Sequence, residues 1–139
     1  MRTVEFEVYP DLNDSLFWVV HVCPNRRSML RRFHRLRGPM PYNGEKFAAC
    51  VMPITRQAIG ADGKTTTFPI LGNVLFDLTH FSVEALAHES VHMATGYLRR
   101  KRRTVKLGQH ADEREEQLAY PAGRCAEQIG RELKKRGLL

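Results

Sequence analysis

Alternating apolar and polar residues at the start of the chain predict a β-strand. Over residues 3–9 the alternation has a period of two, as in a strand with one buried face. Its members are Val4, Phe6 and Val8 on one side and Glu5 and Glu7 on the other. Residues 16–22 are rich in β-branched and aromatic side chains and predict a second strand. The apolar residues 47–54 and 70–78 predict two more strands.

Three segments have the spacing of amphipathic helices. The first covers residues 25–37, and its apolar stripe consists of Met29, Leu30, Phe33 and Leu36. The second runs over residues 83–98, where the Ser82 side chain is suited to cap the first turn. The third covers residues 112–136, with only Pro121 and two glycines opposing a helix.

The order of these elements predicts the fold class. The Asp62-Gly63 pair favours a tight turn, which indicates a hairpin or a long β-loop between the third and fourth strands. The expected order is therefore β-β-α-β-β-α-α. A chain of 139 residues, 42% hydrophobic and 27% charged, suffices for one domain with a core. We expect a single α+β domain over residues 1–139.

The sequence His88-Glu89-Ser90-Val91-His92 is an H-E-x-x-H motif inside the second predicted helix. Side chains four positions apart lie on one face of a helix, so the two imidazoles can ligate one ion. Zinc suits neutral imidazole ligands, and a catalytic zinc site has three protein ligands with an open fourth position. Glu89, beside the first histidine, is the expected general base.

The third ligand is predicted at the start of the last helix, where Glu115 and Glu116 are adjacent. A helix directs only one of two adjacent carboxylates at a given ion. Glu115 continues a stripe of larger residues, namely Leu118, Ala122, Cys125 and Ile129. Glu116 heads a stripe of small residues, namely Ala119, Gly123, Ala126 and Gly130, which would let the helix lie close to its neighbour. We therefore choose Glu116.

The H-E-x-x-H motif, together with Glu116-Gln117-Leu118-Ala119-Tyr120, resembles the gluzincin class of zincin-like metallopeptidases. The likeness is to small single-domain H-E-x-x-H proteins of phages and prophages. It implies a short mixed sheet, an N-terminal helix, an active-site helix and a C-terminal helix with the third ligand. It also implies that residues 71–78 form the strand beside the substrate, with zinc bound by His88, His92 and Glu116.

The function that this resemblance implies is zinc-dependent hydrolysis of a protein or peptide substrate, with Glu89 as the base. Thr95 and Leu98 stand where the longer metzincin motif has glycine and histidine, so that extension is absent. An inactive relative with the same motif stays open as an alternative. Tyr120 is a candidate for stabilising an oxyanion, with packing as its other interpretation. His80 and His110 are further candidates for a ligand or a proton donor.

Charge supplies a competing hypothesis. The net charge is +7, and a basic segment consists of Arg99, Arg100, Lys101, Arg102 and Arg103. With Lys106 and the arginines of residues 25–37, this segment could attract nucleic acid or another polyanion. The alternative function is therefore a non-catalytic phage-type protein that binds nucleic acid or an acidic host protein.

Cysteine usage and hydropathy bear on the cellular compartment. The three cysteines are far apart and form no C-x-x-C pair, which argues against disulfides and against a cysteine zinc site. No run approaches the 18 apolar residues of a membrane span, and the first residues lack the pattern of a signal peptide. We expect a cytoplasmic protein without a membrane partner.

Overall fold

A computed structural model describes residues 1–37, 48–54, 57–59, 61–63, 65–67, 69–101 and 111–139. Its strands are β1 (Val4–Val8), β2 (Phe17–Cys23), β3 (Ala49–Pro53), β4 (Gln57–Ile59), β5 (Thr65–Thr67) and β6 (Ile70–Asp77). Its α-helices are α1 (Arg26–Arg37), α2 (Val83–Arg100) and α3 (Ala111–Lys135), with a short 3-10 turn at Leu78–His80 before α2. The predicted α+β class is confirmed.

The order of elements differs from the prediction by two short strands. β4 and β5 pair with each other as a separate hairpin between β3 and β6. Gly63, in the predicted turn, has a φ of +76°, a backbone conformation that favours glycine. The hairpin was expected from Asp62-Gly63, but its strands were not counted in the order.

The main sheet is mixed and has the strand order β1-β2-β6-β3. β2 and β6 are parallel, whereas β1 pairs antiparallel with β2 and β3 pairs antiparallel with β6. Therefore β6, expected beside the substrate, lies in the interior of the sheet. In the part of the chain that the structure describes, β3 is an edge strand, which corrects the assignment of residues 71–78.

The two faces of the main sheet are covered by different helices. Successive strand residues point to opposite faces. Val22 packs in the core cluster that contains Met93 of α2 and Cys125 of α3. The next residue, Cys23, packs with Met29 of α1. Hence α2 and α3 lie on one face, and α1 lies on the other. Within the described residues, no helix has both the length and the apolar character that a membrane span needs.

Trp18 fixes the position of α2 on the sheet. Its side chain is fully buried, and its indole Nε1 donates a hydrogen bond to the Met93 carbonyl over 3.2 Å. A Cβ atom added at Gly96 would lie 2.7 Å from the Trp18 ring. This glycine therefore allows the close approach that holds the middle of α2 against β2.

Replacing Gly96 by alanine should destabilise the fold. Trp18 is fully buried, and its ring also lies within 2.8 Å of a Cβ built at Gly72 on the other side, so we expect a loss of about 1–2 kcal/mol despite the better helix propensity of alanine. Gly123→Ala is the matched control, because nothing lies within 4 Å of a Cβ placed there. The control should gain up to about 1 kcal/mol. Urea unfolding measures both changes, and equal effects of the two substitutions would contradict the packing role of Gly96.

Candidate metal centre

The rotation of α2 about its axis is set by its cap and by its buried side. The Ser82 hydroxyl accepts a hydrogen bond from the Ala85 N–H over 3.0 Å, as predicted for an N-cap. The residues of α2 that are buried against the rest of the fold are Glu89, Ser90, Met93, Ala94, Tyr97 and Leu98. With this side buried, His88 and His92 remain exposed, beside the cleft between α2 and β3.

The two imidazoles converge on one point. The Nε2 atoms of His88 and His92 are 3.1 Å apart, and the ring planes meet at 66°. Two nitrogen ligands at about 2.0–2.1 Å from a tetrahedral zinc ion lie roughly 3.3 Å apart. The observed separation thus fits two ligands of one ion. As predicted from the sequence, these side chains lie together on one face of a helix.

Glu89 lies between the imidazoles and the core. Its side chain is buried, with 7% of the residue surface exposed. Burial raises the pKa of Glu89, and the neighbouring His88 and His92 only partly counteract this. Among the residues described, its carboxylate has no hydrogen-bond or ion-pair partner, so its oxygens are available to accept a proton.

A cleft of about 330 Å³ extends from these side chains to the sheet edge. On the sheet side it is lined by Ala49, Cys50, Val51 and Pro53. On the helix side it is lined by His88, Glu89, His92, Thr95, Gly96 and Arg99.

The backbone of β3 can pair with such a chain. The Ala48 carbonyl accepts from the Asp77 N–H, and the Ile54 N–H donates to the Leu71 carbonyl, each over 2.8 Å. Because hydrogen-bonded residues alternate along an antiparallel ladder, the even-numbered residues of β3 bond to β6. Ala49, Val51 and Pro53 therefore direct their backbone groups away from the sheet. Proline lacks an N–H, which suits an edge strand.

His80 lies at one end of the cleft. It shares a depression of about 350 Å³ with Glu84, His88 and Glu89. The His80 Nδ1 is 2.6 Å from a carboxylate oxygen of Asp77, which is fully buried. Burial alone would raise the pKa of Asp77, but hydrogen bonds from Thr79 and His80 outweigh it and hold that pKa below its usual value.

Glu116 and Tyr120 lie in another depression. Their neighbours there include Tyr97 and Leu98, near the C-terminal end of α2, and Arg124 is 5.6 Å from the Tyr120 ring centre. Both predicted site residues are exposed, as is Glu115. In the described ranges, no group of three His, Cys, Asp or Glu side chains is arranged to hold a metal. The structure thus unites His88, Glu89 and His92, and it places Glu116 and Tyr120 elsewhere.

The two glycines of the small-residue stripe of α3 do not contact α2, contrary to expectation. Gly123 is exposed, and no atom lies within 4 Å of a Cβ built there or at Gly130. The larger stripe packs in the core instead, through Cys125 and Ile129. The buried side of α3 follows the volume of the side chains, because large apolar groups gain more from leaving water.

The described residues of the basic segment make different contacts. Arg100 donates to the carbonyls of Ile54 and Ile70 over 2.6 and 3.1 Å, and Lys101 pairs with Asp14 at 2.9 Å. Arg99 is exposed in the cleft. The predicted contributors Arg102, Arg103 and Lys106, and the candidate ligand His110, lie outside the described residues.

The arginines of α1 lie on the other face of the sheet from Arg99, Arg100 and Lys101, the described part of this segment. One continuous basic surface formed by α1 and the end of α2 is therefore not supported by the arrangement of these helices.

Two features of the site were missed by the sequence analysis. The edge position of β3 has a weak signal in Pro53, which an interior strand would not tolerate. The link between His80 and Asp77 has a signal in their spacing, since residues three apart meet in a turn. Comparisons with protein-family models, with curated proteins and with solved structures give no match to this chain.

Proposed function

We propose that the protein is a zinc-dependent hydrolase of peptide bonds, with its active site in the cleft between α2 and β3. The observation that carries the proposal is the convergence of His88 and His92, with Nε2 atoms 3.1 Å apart, beside a buried Glu89 that has no hydrogen-bond or ion-pair partner among the described residues. Two imidazoles with an adjacent carboxylate base beside an open cleft are groups that hydrolytic zinc sites use, and a third protein ligand would complete the coordination.

His88 and His92 would hold the ion through their Nε2 atoms. When bound, zinc supplies Lewis acidity that polarises a carbonyl group and lowers the pKa of water. The substrate would lie along β3 and pair with the outward backbone groups of Ala49 and Val51. This position brings the scissile bond next to Glu89, which lines the same cleft.

Glu89 is the proposed general base and then general acid of the reaction. Its carboxylate accepts a proton from the attacking water, whose oxygen forms a bond to the carbonyl carbon. The protonated Glu89 then gives that proton to the amine nitrogen as the carbon–nitrogen bond breaks. Peptide hydrolysis is thereby balanced, with one water consumed and no other reactant.

The test is a digest of a peptide library by the zinc-loaded protein and by its Glu89→Gln variant, in which only the wild-type protein should release fragments. A protein that binds zinc and peptides but cleaves none would be the inactive relative that the sequence left open.

The sequence pattern is the basis for proposing Glu116 as the third ligand, although it lies in a different depression from His88 and His92. Glu116→Ala should lower zinc affinity by at least about 100-fold, because even the loss of a hydrogen-bond partner behind a ligand costs 10–100-fold. Glu115→Ala is the matched control and should change affinity little. Competition with a chromophoric chelator measures both variants. A larger loss for Glu115→Ala would assign the ligand to Glu115, and no loss for either would exclude both carboxylates.

A further inference from the structure

We propose that the cleft selects an extended peptide with an acidic side chain at the Arg99 end and a basic side chain at the Glu84 end. The proposal rests on the function proposed above, because it takes the peptide to lie along β3. It names the chemical class of the substrate that this cleft accepts.

The two charges line two adjoining depressions. Arg99 lines the depression that contains His88, Glu89 and His92, and Glu84 lines the depression that contains His80. Both depressions also include Ala49, His88 and Glu89, so they adjoin at the proposed catalytic groups. A peptide long enough to fill both would meet both charges.

Neither charge is neutralised within the described part of the chain. Glu84 and Arg99 are exposed, and neither has a hydrogen-bond or ion-pair partner there. Arg100 and Lys101, by contrast, bond to backbone carbonyls and to Asp14. The helix dipole favours an acidic residue in the first turn and a basic one in the last, but it does not explain why both line the cleft.

Helix geometry gives the spacing of the two charges on a substrate. Fifteen positions of α2 separate Glu84 from Arg99, which corresponds to a rise of about 22 Å. An extended chain covers this distance in about seven residues. Glu89 lies nearer the Glu84 end, so the basic residue should be about two positions from the scissile bond and the acidic residue four or five.

The direction of β3 gives the order of the charges. Arg100, at the C-terminal end of α2, bonds to Ile54, just after the last residue of β3. Ala48 and Ala49, at the other end of β3, line the depression that contains Glu84. Thus β3 and α2 run in the same direction. A peptide paired antiparallel to β3, the more stable pairing, enters at Arg99 and places its acidic residue on the N-terminal side.

The experiment uses two twelve-residue peptides of identical composition. One carries Glu seven positions before Lys, and the other carries Lys seven positions before Glu. Binding to the zinc-loaded Glu89→Gln protein is measured by calorimetry at low salt, and repeated without zinc. We expect the Glu-first peptide to bind about 2-fold to 30-fold more tightly, the range for two exposed ion pairs.

The decisive variant exchanges the two charges. Glu84→Lys combined with Arg99→Glu leaves the net charge unchanged and should reverse the preference. Arg27→Gln, on the exposed side of α1, is the control and should leave it unchanged. Equal binding of both peptides, no binding of either, or the same preference in the exchanged variant would each overturn the proposal.

Failure of the function and failure of the charge selection are distinguishable. Cleavage of both peptides at equal rates by the zinc-loaded wild-type protein would refute the selection and leave the hydrolase. Binding with the expected order preference but without any cleavage would refute hydrolysis and leave a cleft that selects charged peptides.

Discussion

Replacing Glu89 by glutamine should lower peptide hydrolysis by about 10²–10⁴-fold, the usual contribution of a general base. Glutamine has the shape of glutamate but cannot accept a proton from water. The substitution should leave zinc content unchanged, because the Nε2 atoms of His88 and His92 are untouched. Fragment release by wild type and variant, followed by mass spectrometry, gives the ratio of rates.

We also predict whether Glu89→Gln raises or lowers the thermal stability of the metal-free protein. Burial raises the pKa of Glu89 in the folded protein, so the charged form is less stable folded than unfolded. Above the unfolded pKa, ionised Glu89 therefore lowers the free energy of unfolding, and the neutral amide removes that cost. At pH 7 the metal-free variant should unfold at the same temperature as the metal-free wild type or higher. Equal cleavage by both proteins would assign the activity to a contaminant.

Replacing either His88 or His92 by alanine should abolish zinc binding at micromolar concentration. The loss of one direct ligand must exceed the 10–100-fold loss expected when only the partner of a ligand is removed. Metal analysis after gel filtration should give about one zinc per chain for the wild type. It should give almost none for either variant.

His34→Ala is the matched control for these two substitutions. His34 is also exposed, but it belongs to α1, on the other face of the sheet. It should keep both the zinc content and the rise in melting temperature that a bound metal produces. If the double variant His88→Ala/His92→Ala retained the wild-type zinc content, the metal site would have to lie elsewhere.

The features that depend on residues close together in the sequence were predictable from it. The alternation of β1, the apolar stripe of α1 and the Ser82 cap depend on neighbours a few positions away. The structure confirms the strand, the helix and the cap, although Leu36, the last member of the stripe, is exposed. The pairing of His88 with His92 follows from the same cause, because the period of a helix alone places side chains four apart on one face. Likewise, the turn at Gly63 depends only on the local backbone.

The contacts that these elements make with distant segments of the chain were not predictable from the sequence. Nothing in the apolar pattern of residues 70–78 tells an interior strand from an edge strand, because that depends on which strand pairs on each side. The tertiary structure places β3 at the edge and β6 within the sheet. It also gives the residues of the basic segment different contacts, since Arg100 reaches its carbonyl partners only because the end of β3 and the start of β6 lie beside α2.

The orientation of α3 likewise depends partly on the sequence pattern and partly on the tertiary packing. The sequence determines that a helix forms and that its stripes of large and small residues differ in direction. Only packing decides which stripe faces the core, and the larger one does, because it buries more apolar surface. Local sequence patterns thus predict the helices, the strands of the main sheet and the pair of histidines. The tertiary structure decided what surrounds them, since contacts between distant segments depend on the whole arrangement of the chain.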